Sequence, residues 1–158
     1  WPPLSRAILL LLMFVGGSAG STGGAIKVVR MNVLAKHSVR ELKRAVYPRR
    51  VTVIRLNGKA VPEEVSSAVL AFVILYLSVF LLSMLALSAM GLDFMSAVGA
   101  VAATLGNIGP GFGLVGPTCN YSAVPTIGKW LLSFCMLVGR LEVYTVLSLL
   151  VPGFWRRP

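Results

Sequence analysis

From Val65 to Leu92 no position carries a charge, and this unbroken apolar run is longer than the roughly 20 residues a helix needs to cross a bilayer. Pro62, Glu63 and Glu64 come just before it, and acidic residues in a first turn complement the helix dipole. The pattern predicts a membrane-crossing helix. A second apolar run, Trp130 to Val151, is interrupted only by Arg140 and Glu142; Lys129 stands at one end and Trp155, Arg156 and Arg157 at the other, as interfacial anchors do. Between the two lies Asp93 to Leu105, apolar, too short to cross and followed by glycines. That length predicts a helix that enters the bilayer and turns back, capped by Asp93. The start of the chain repeats the order: Pro3 and Ser5 open a short apolar helix ending near Val15, and the glycine-rich GGSAGSTGG follows. After it, Ile26 to Val46 is too charged to face lipid, so within a membrane it has to be buried in protein or line a wet cavity. Val51 to Leu56 alternates in part and Asn57-Gly58 is a hairpin signal, which predicts a small hairpin on the cytoplasmic side.

Composition supports a membrane protein. The 158 residues are 56% hydrophobic and 13% charged, with a mean hydropathy of +0.83, well above a soluble domain. Because it opens on Trp1-Pro2-Pro3 rather than Met, we read the chain as the C-terminal part of a longer polypeptide, to which any function belongs. A signal peptide over Leu4 to Gly17 is the weaker reading, since no mature soluble domain follows. The net charge of +10 suggests nucleic acid, but its placement does not: eight of the fifteen Lys and Arg lie between Lys36 and Lys59, where the only aromatic besides His37 is Tyr47. Loops rich in basic residues beside apolar spans are what the positive-inside rule expects. The basic segment and the Arg156-Arg157 tail therefore share the cytoplasmic side, opposite the uncharged stretch Gly106 to Gly128.

Non-helical backbone inside a bilayer leaves carbonyls without partners, and a permeating cation is one partner that satisfies them. A potassium filter replaces the ion's water shell with backbone carbonyls, and glycine supplies the angles that aim them. The preceding short helix directs its partially negative C-terminal end at the ion. One glycine loop between apolar helices is usually a packing device. Two of them, around Gly20 and Gly109 and each behind a short helix, point to an ion path.

The motifs GGSAGSTGGAIKV, NGK, GNIGPGFG, GRLEVYT and PGFW together make the chain resemble the C-terminal region of the Trk-type potassium uptake family, the TrkH membrane subunits, over essentially its whole length. The resemblance implies an all-α membrane protein with a potassium-channel-like pore, built from repeats of outer helix, re-entrant pore helix with filter loop, and inner helix. On that pattern residues 1–48 end the third repeat, 49–62 form the cytoplasmic linker, and 63–158 make the complete fourth repeat. It places one filter wall on Ser18, Ala19, Gly20, Ser21 and Thr22 and another on Asn107, Ile108, Gly109, Pro110 and Gly111, with the transported K+ at Gly20 and Gly109 and no covalently bound cofactor. The chain thereby supplies two of four filter loops.

The family further implies that Arg140 projects into the pore below the filter as a barrier. Glu142, about 200° around the helix from Arg140, is expected to support it by pairing with a cation on another helix. A loop that interrupts the third inner helix acts as a gate, and the polar stretch Asn32 to Ser38 is the candidate. Membrane lipid, a homodimer and a cytoplasmic nucleotide-binding regulatory subunit (TrkA-like) are the implied partners, and the bacterial cytoplasmic membrane the location. The competing readings are a non-conducting helical scaffold and a pore for monovalent cations with little K+/Na+ selectivity.

Other features carry less. Arg140 and Glu142 also fit a structural role, as a buried pair holding helices together. Lys27 and Arg30 are read as structural, since the sequence does not fix their depth, and His37 as solvated or interfacial. Cys119 and Cys135 fit neither metal spacing nor a disulfide framework. Gly111 to Gly116 spells a dinucleotide fingerprint, yet it follows no strand and runs into Pro117. Asn120-Tyr121-Ser122 spells a glycosylation signal only three residues long. No nucleophile, base and acid come together, so an enzyme is not expected.

Overall fold

The structure, a computed structural model, describes residues 2–18, 21, 23–47, 53–56, 58–141 and 143–150. Helices α1 (Pro3–Phe14) and α2 (Val28–Val46) come first. The antiparallel strands β1 (Arg55–Leu56) and β2 (Lys59–Ala60) follow, then α3 (Glu63–Ala89), α4 (Phe94–Leu105), α5 (Thr126–Leu141) and α6 (Val143–Leu150).

The longest apolar run becomes α3, the one helix among the described residues that is long and apolar enough to cross a bilayer. It starts behind Pro62 with Glu63 and Glu64 in its first turn, and it ends where Gly91 takes a φ of 95°, a left-handed cap that glycine adopts without penalty. Although the helix is apolar all round, one side is buried: Ser66, Val69, Val73, Tyr76, Phe80, Ser83 and Leu87, alternately three and four residues apart, with Phe72 beside them. Ile74, Leu81, Leu82 and Leu85 remain on the outside.

Depth in the molecule is best measured along α3. The ring of Phe14, the last residue of α1, packs edge-on against Phe80 at 4.9 Å and Tyr76 at 6.4 Å. Near the start of α2, the Arg30 guanidinium lies 4.0 Å from the centre of the Phe72 ring. Farther along, Ser66 Oγ is 2.7 Å from His37 Nδ1, and Arg40 pairs with Glu63 at 3.3 Å. Helices α1 and α2 therefore run in series, antiparallel to α3, and the break between them falls beside its middle. On the other side, Gly128 at the start of α5 sits against Leu87 and Met90, Cys135 Sγ donates to Ser83 Oγ at 3.2 Å, and Tyr144 of α6 donates to the Ala68 carbonyl at 3.0 Å. The α5 and α6 segments thus pass down the length of α3.

Helix α4 packs against both α3 and α5, and every residue from Ser96 to Leu105 is buried. Alanines and glycine at 97, 99, 100, 102 and 103 permit that close approach. Asp93 caps it as expected, its carboxylate accepting from the Ser96 amide at 3.1 Å. Hydrogen bonding by Ser96, through its side chain first and its amide second, holds the Asp93 carboxyl below the usual range. A depressed carboxylate contributes stability above its unfolded pKa and loses it as pH falls through the folded value. Asp93→Ala should therefore lower the thermal midpoint of the full-length protein at neutral pH, with the gap to wild type closing below about pH 4.

One expectation changes. Helix α2 runs unbroken through Asn32 to Ser38, so no gate loop lies there: residues 28 to 46 contain neither glycine nor proline, and the Ser38 hydroxyl donates within the helix to Leu34 O at 3.0 Å. The run Trp130 to Val151 is helical from Thr126 through Leu141 and again over Val143–Leu150; Glu142, Val151, Trp155, Arg156 and Arg157 lie outside the described residues. A small hairpin forms with Gly58 at a φ of 80°, pairing Arg55 with Ala60 and Leu56 with Lys59; Val51, Thr52 and Asn57 lie outside the described residues.

Candidate ion pathway

The loop after α4 turns back on its own helix. Gly106 and Ile108 close the helix end by donating to the carbonyls of Ala102 and Ala103, each at 2.9 Å. Asn107 then takes a φ of 54° and Gly109 a φ of 104°. By Gly111 the chain again lies against the middle of α4: a Cβ there would stand 2.6 Å from the Gly99 carbonyl oxygen, so backbone meets backbone and only glycine fits. The Leu114 amide then donates to Ser96 Oγ at 2.8 Å, level with the helix start. Residues 106–113 thus retrace roughly three turns of α4 in the opposite direction, the path of a re-entrant loop.

Its five expected filter residues have distinct surroundings. The Asn107 side chain donates to the Met136 carbonyl at 3.2 Å and ties the loop to α5. Ile108 is exposed, and Gly109 has nothing within 4 Å of where a Cβ would project. Ile108, Pro110 and Gly111 share a cavity with Leu9, Leu12 and Met13 of α1, which places α1 beside this loop.

The first glycine loop is built differently. Its ends are stitched together: Gly16 donates to Ile26 O at 2.8 Å, Ile26 to Phe14 O at 3.1 Å, and Val28 to Gly17 O at 3.2 Å, with Val15 and Ile26 paired in parallel. The chain leaves at the depth at which it entered, running in the same direction, and α2 begins there. Within the loop Ser21 donates its amide to Ser18 O at 2.9 Å, and its hydroxyl oxygen accepts from Gly23 at 3.1 Å. Ala19, Gly20 and Thr22 lie outside the described residues. The described part of this loop meets the other one where a Cβ on Gly24 would be 2.7 Å from the Gly106 carbonyl oxygen.

Below that meeting point is a cavity of about 360 Å³. Ser21, Gly23 and Ala25 of the first loop line it, as do Phe72 and Tyr76 of α3, and Gly139 and Arg140 of α5. Gly139 sits directly under the end of α4, where a Cβ would collide with the Leu105 carbonyl oxygen, so the neighbouring Arg140 is fixed just inside the re-entrant loop. Lys27 and Arg30 line the same cavity. Sequence reasoning set these two aside; the missed signal is their place immediately after a glycine break, which brings the first turn of α2 to the depth of Arg140. Among the described residues no set of three or more His, Cys, Asp or Glu is placed to hold a metal ion. The polar lining of the cavity combines the side chains of Ser21, Tyr76, Lys27, Arg30 and Arg140, three of them cationic.

Comparison with known proteins agrees with this arrangement. The profile of the TrkH family, described as a cation transport protein, matches residues 1–154. Trk system potassium uptake proteins TrkH from Escherichia coli K12 and from Vibrio parahaemolyticus are 47% and 48% identical over 156 residues, and TrkG of Escherichia coli K12 is 36% identical. Each alignment covers 99% of this chain and 32% of the relative, so the chain spans about a third of their length. The crystal structure of the potassium transporter TrkH from Vibrio parahaemolyticus superimposes with a TM-score of 0.89 at 47% identity, covering 99% of this chain and 33% of that one. With the family profile matching nearly the whole chain, and a re-entrant loop standing over a cavity lined by basic residues, this chain belongs to the TrkH family of cation transport proteins.

Proposed function

We propose that the chain forms one filter wall and the constriction beneath it in a potassium uptake pathway across the bacterial cytoplasmic membrane. The observation that carries this reading is the depth relation of the two loops. Residues 106–113 climb beside α4 as a filter loop does, whereas the loop between α1 and α2 lies at their inner end, against Gly106 and above Arg140. Asn107, Ile108, Gly109, Pro110 and Gly111 are then the filter residues of a fourth repeat over 63–158, with K+ at Gly109. Helices α1 and α2 form an interrupted inner helix, and Ser18 to Thr22, including Gly20, belong to its gate rather than to a second filter wall. Arg140, with Lys27 and Arg30, supplies the positive barrier of the cavity. The relatives carry the name potassium uptake protein, which favours potassium over an unselective pore or a non-conducting scaffold.

The basic segment Lys36 to Lys59 is the surface offered to a TrkA-like nucleotide-binding subunit in a homodimeric assembly. Lys36 Nζ donates to the Arg55 carbonyl at 2.6 Å, and Lys36, Arg40, Lys43 and Arg55 line a groove of about 540 Å³ between α2 and the hairpin. Rubidium uptake by the full-length protein in liposomes tests the reading. Ser21→Ala, which removes the hydroxyl that holds Gly23, should raise uptake several-fold while leaving the K+/Na+ ratio unchanged. A changed ratio would return residues 18–22 to the filter.

A further inference from the structure

Gly109 has open space where other residues carry a side chain. It carries no side chain, its φ is 104°, and nothing lies within 4 Å of a would-be Cβ. The next residue is Pro110, so the peptide joining the two has no amide hydrogen and its carbonyl is its only polar handle. That handle is taken: the Tyr121 hydroxyl donates to the Gly109 carbonyl oxygen at 2.9 Å.

Tyr121 is itself held firmly. It opens a short 3-10 turn, Tyr121–Ala123, in which the Asn120 side-chain oxygen accepts from the Ser122 amide at 3.0 Å and from the Ser122 hydroxyl. Lys129 of α5 donates to the Ser122 carbonyl at 3.2 Å, and the Tyr121 ring is partly buried against the core. Asn120-Tyr121-Ser122, which spells a glycosylation signal, is thus occupied in building a rigid mount. A carbonyl oxygen has two acceptor positions. Tyr121 fills one and leaves the other for a cation.

We infer that Tyr121 is a positioning residue of the filter, its hydroxyl fixing the rotation of the Gly109–Pro110 peptide and through it the discrimination between potassium and sodium. The inference rests on the filter reading of residues 107–111. Discrimination between two ions of the same charge depends on how well the carbonyls hold their places, so losing the brace lowers selectivity. A hydrogen bond of ordinary net strength corresponds to a change of about 2-fold to 10-fold.

The test is the K+/Na+ ratio, from sodium competition against rubidium uptake by the full-length protein in liposomes, for Tyr121→Phe beside Gly109→Ser. Tyr121→Phe keeps the ring and removes only the donor, and a thermal midpoint close to wild type verifies its fold. We expect the ratio to fall by about 2-fold to 10-fold in Tyr121→Phe. If Gly109→Ser lowers the ratio and a folded Tyr121→Phe leaves it unchanged, the brace is refuted and the filter reading stands. If Gly109→Ser also leaves it unchanged, the filter reading fails and the brace with it.

Discussion

Gly109→Ser in the full-length protein is expected to cut the potassium over sodium ratio about tenfold or more while leaving the protein folded. The expectation follows from what limits residue 109. A Cβ there meets nothing within 4 Å, so the added side chain does not clash. The cost is conformational: at a φ of 104° an L-residue with a side chain is strained by about 1–3 kcal/mol, and the backbone relieves that strain by rotating. Each 1.4 kcal/mol of altered preference between the ions is a factor of ten. Gly113 provides the contrast. It too has a positive φ, of 63°, but a Cβ there runs into Ser96 Oγ, the acceptor for Leu114. Substitution at 113 should damage folding, whereas substitution at 109 should damage selectivity. Sodium competition against rubidium uptake, read beside thermal unfolding, separates the two. An unchanged ratio in folded Gly109→Ser removes residues 107–111 from the filter.

The element list was largely legible, because run length and end signals are local properties. The uncharged run from Val65 becomes α3, Asp93 caps α4 and Gly58 turns the hairpin. The return of the chain along α4 was legible too: the helix is short, and the glycines after it allow the tight approach to Gly99. What composition does not encode is depth. The two glycine loops look alike along the chain, each behind a short apolar helix. They differ in which part of α3 their neighbours touch: Phe14 against Phe80 and Tyr76, then Arg30 against Phe72, place the first break midway along α3, with α2 continuing beside its first half.

The same limit hid Lys27 and Arg30. Their distance from Arg140 is set by packing on α3 and by the stitched base of the first loop, neither of which leaves a periodic trace. Placing the gate at Asn32 to Ser38 relied on polarity, and polarity alone does not break a helix that lacks glycine and proline. The glycines between α1 and α2, from Gly16 to Gly24, carry the break.

Arg140→Ala is expected to raise potassium flux by more than tenfold, the largest change in rate of any single substitution in the cavity. Arg140 follows Gly139, which is pressed against the Leu105 carbonyl, so its backbone is anchored beneath the end of α4, and its exposed side chain lines the cavity there. A unit charge about 8 Å from a passing cation, at an effective dielectric of about 20, opposes it by about 2 kcal/mol, or roughly 30-fold in rate. Arg140→Lys keeps the charge and should keep most of the barrier, which distinguishes electrostatics from bulk. Lys27 and Arg30 still line the cavity when Arg140 is neutralised, so the variant retains part of its cation repulsion, and the remaining flux should fall short of an open pore. Loss of flux in folded Arg140→Ala would instead assign Arg140 to holding the pathway together.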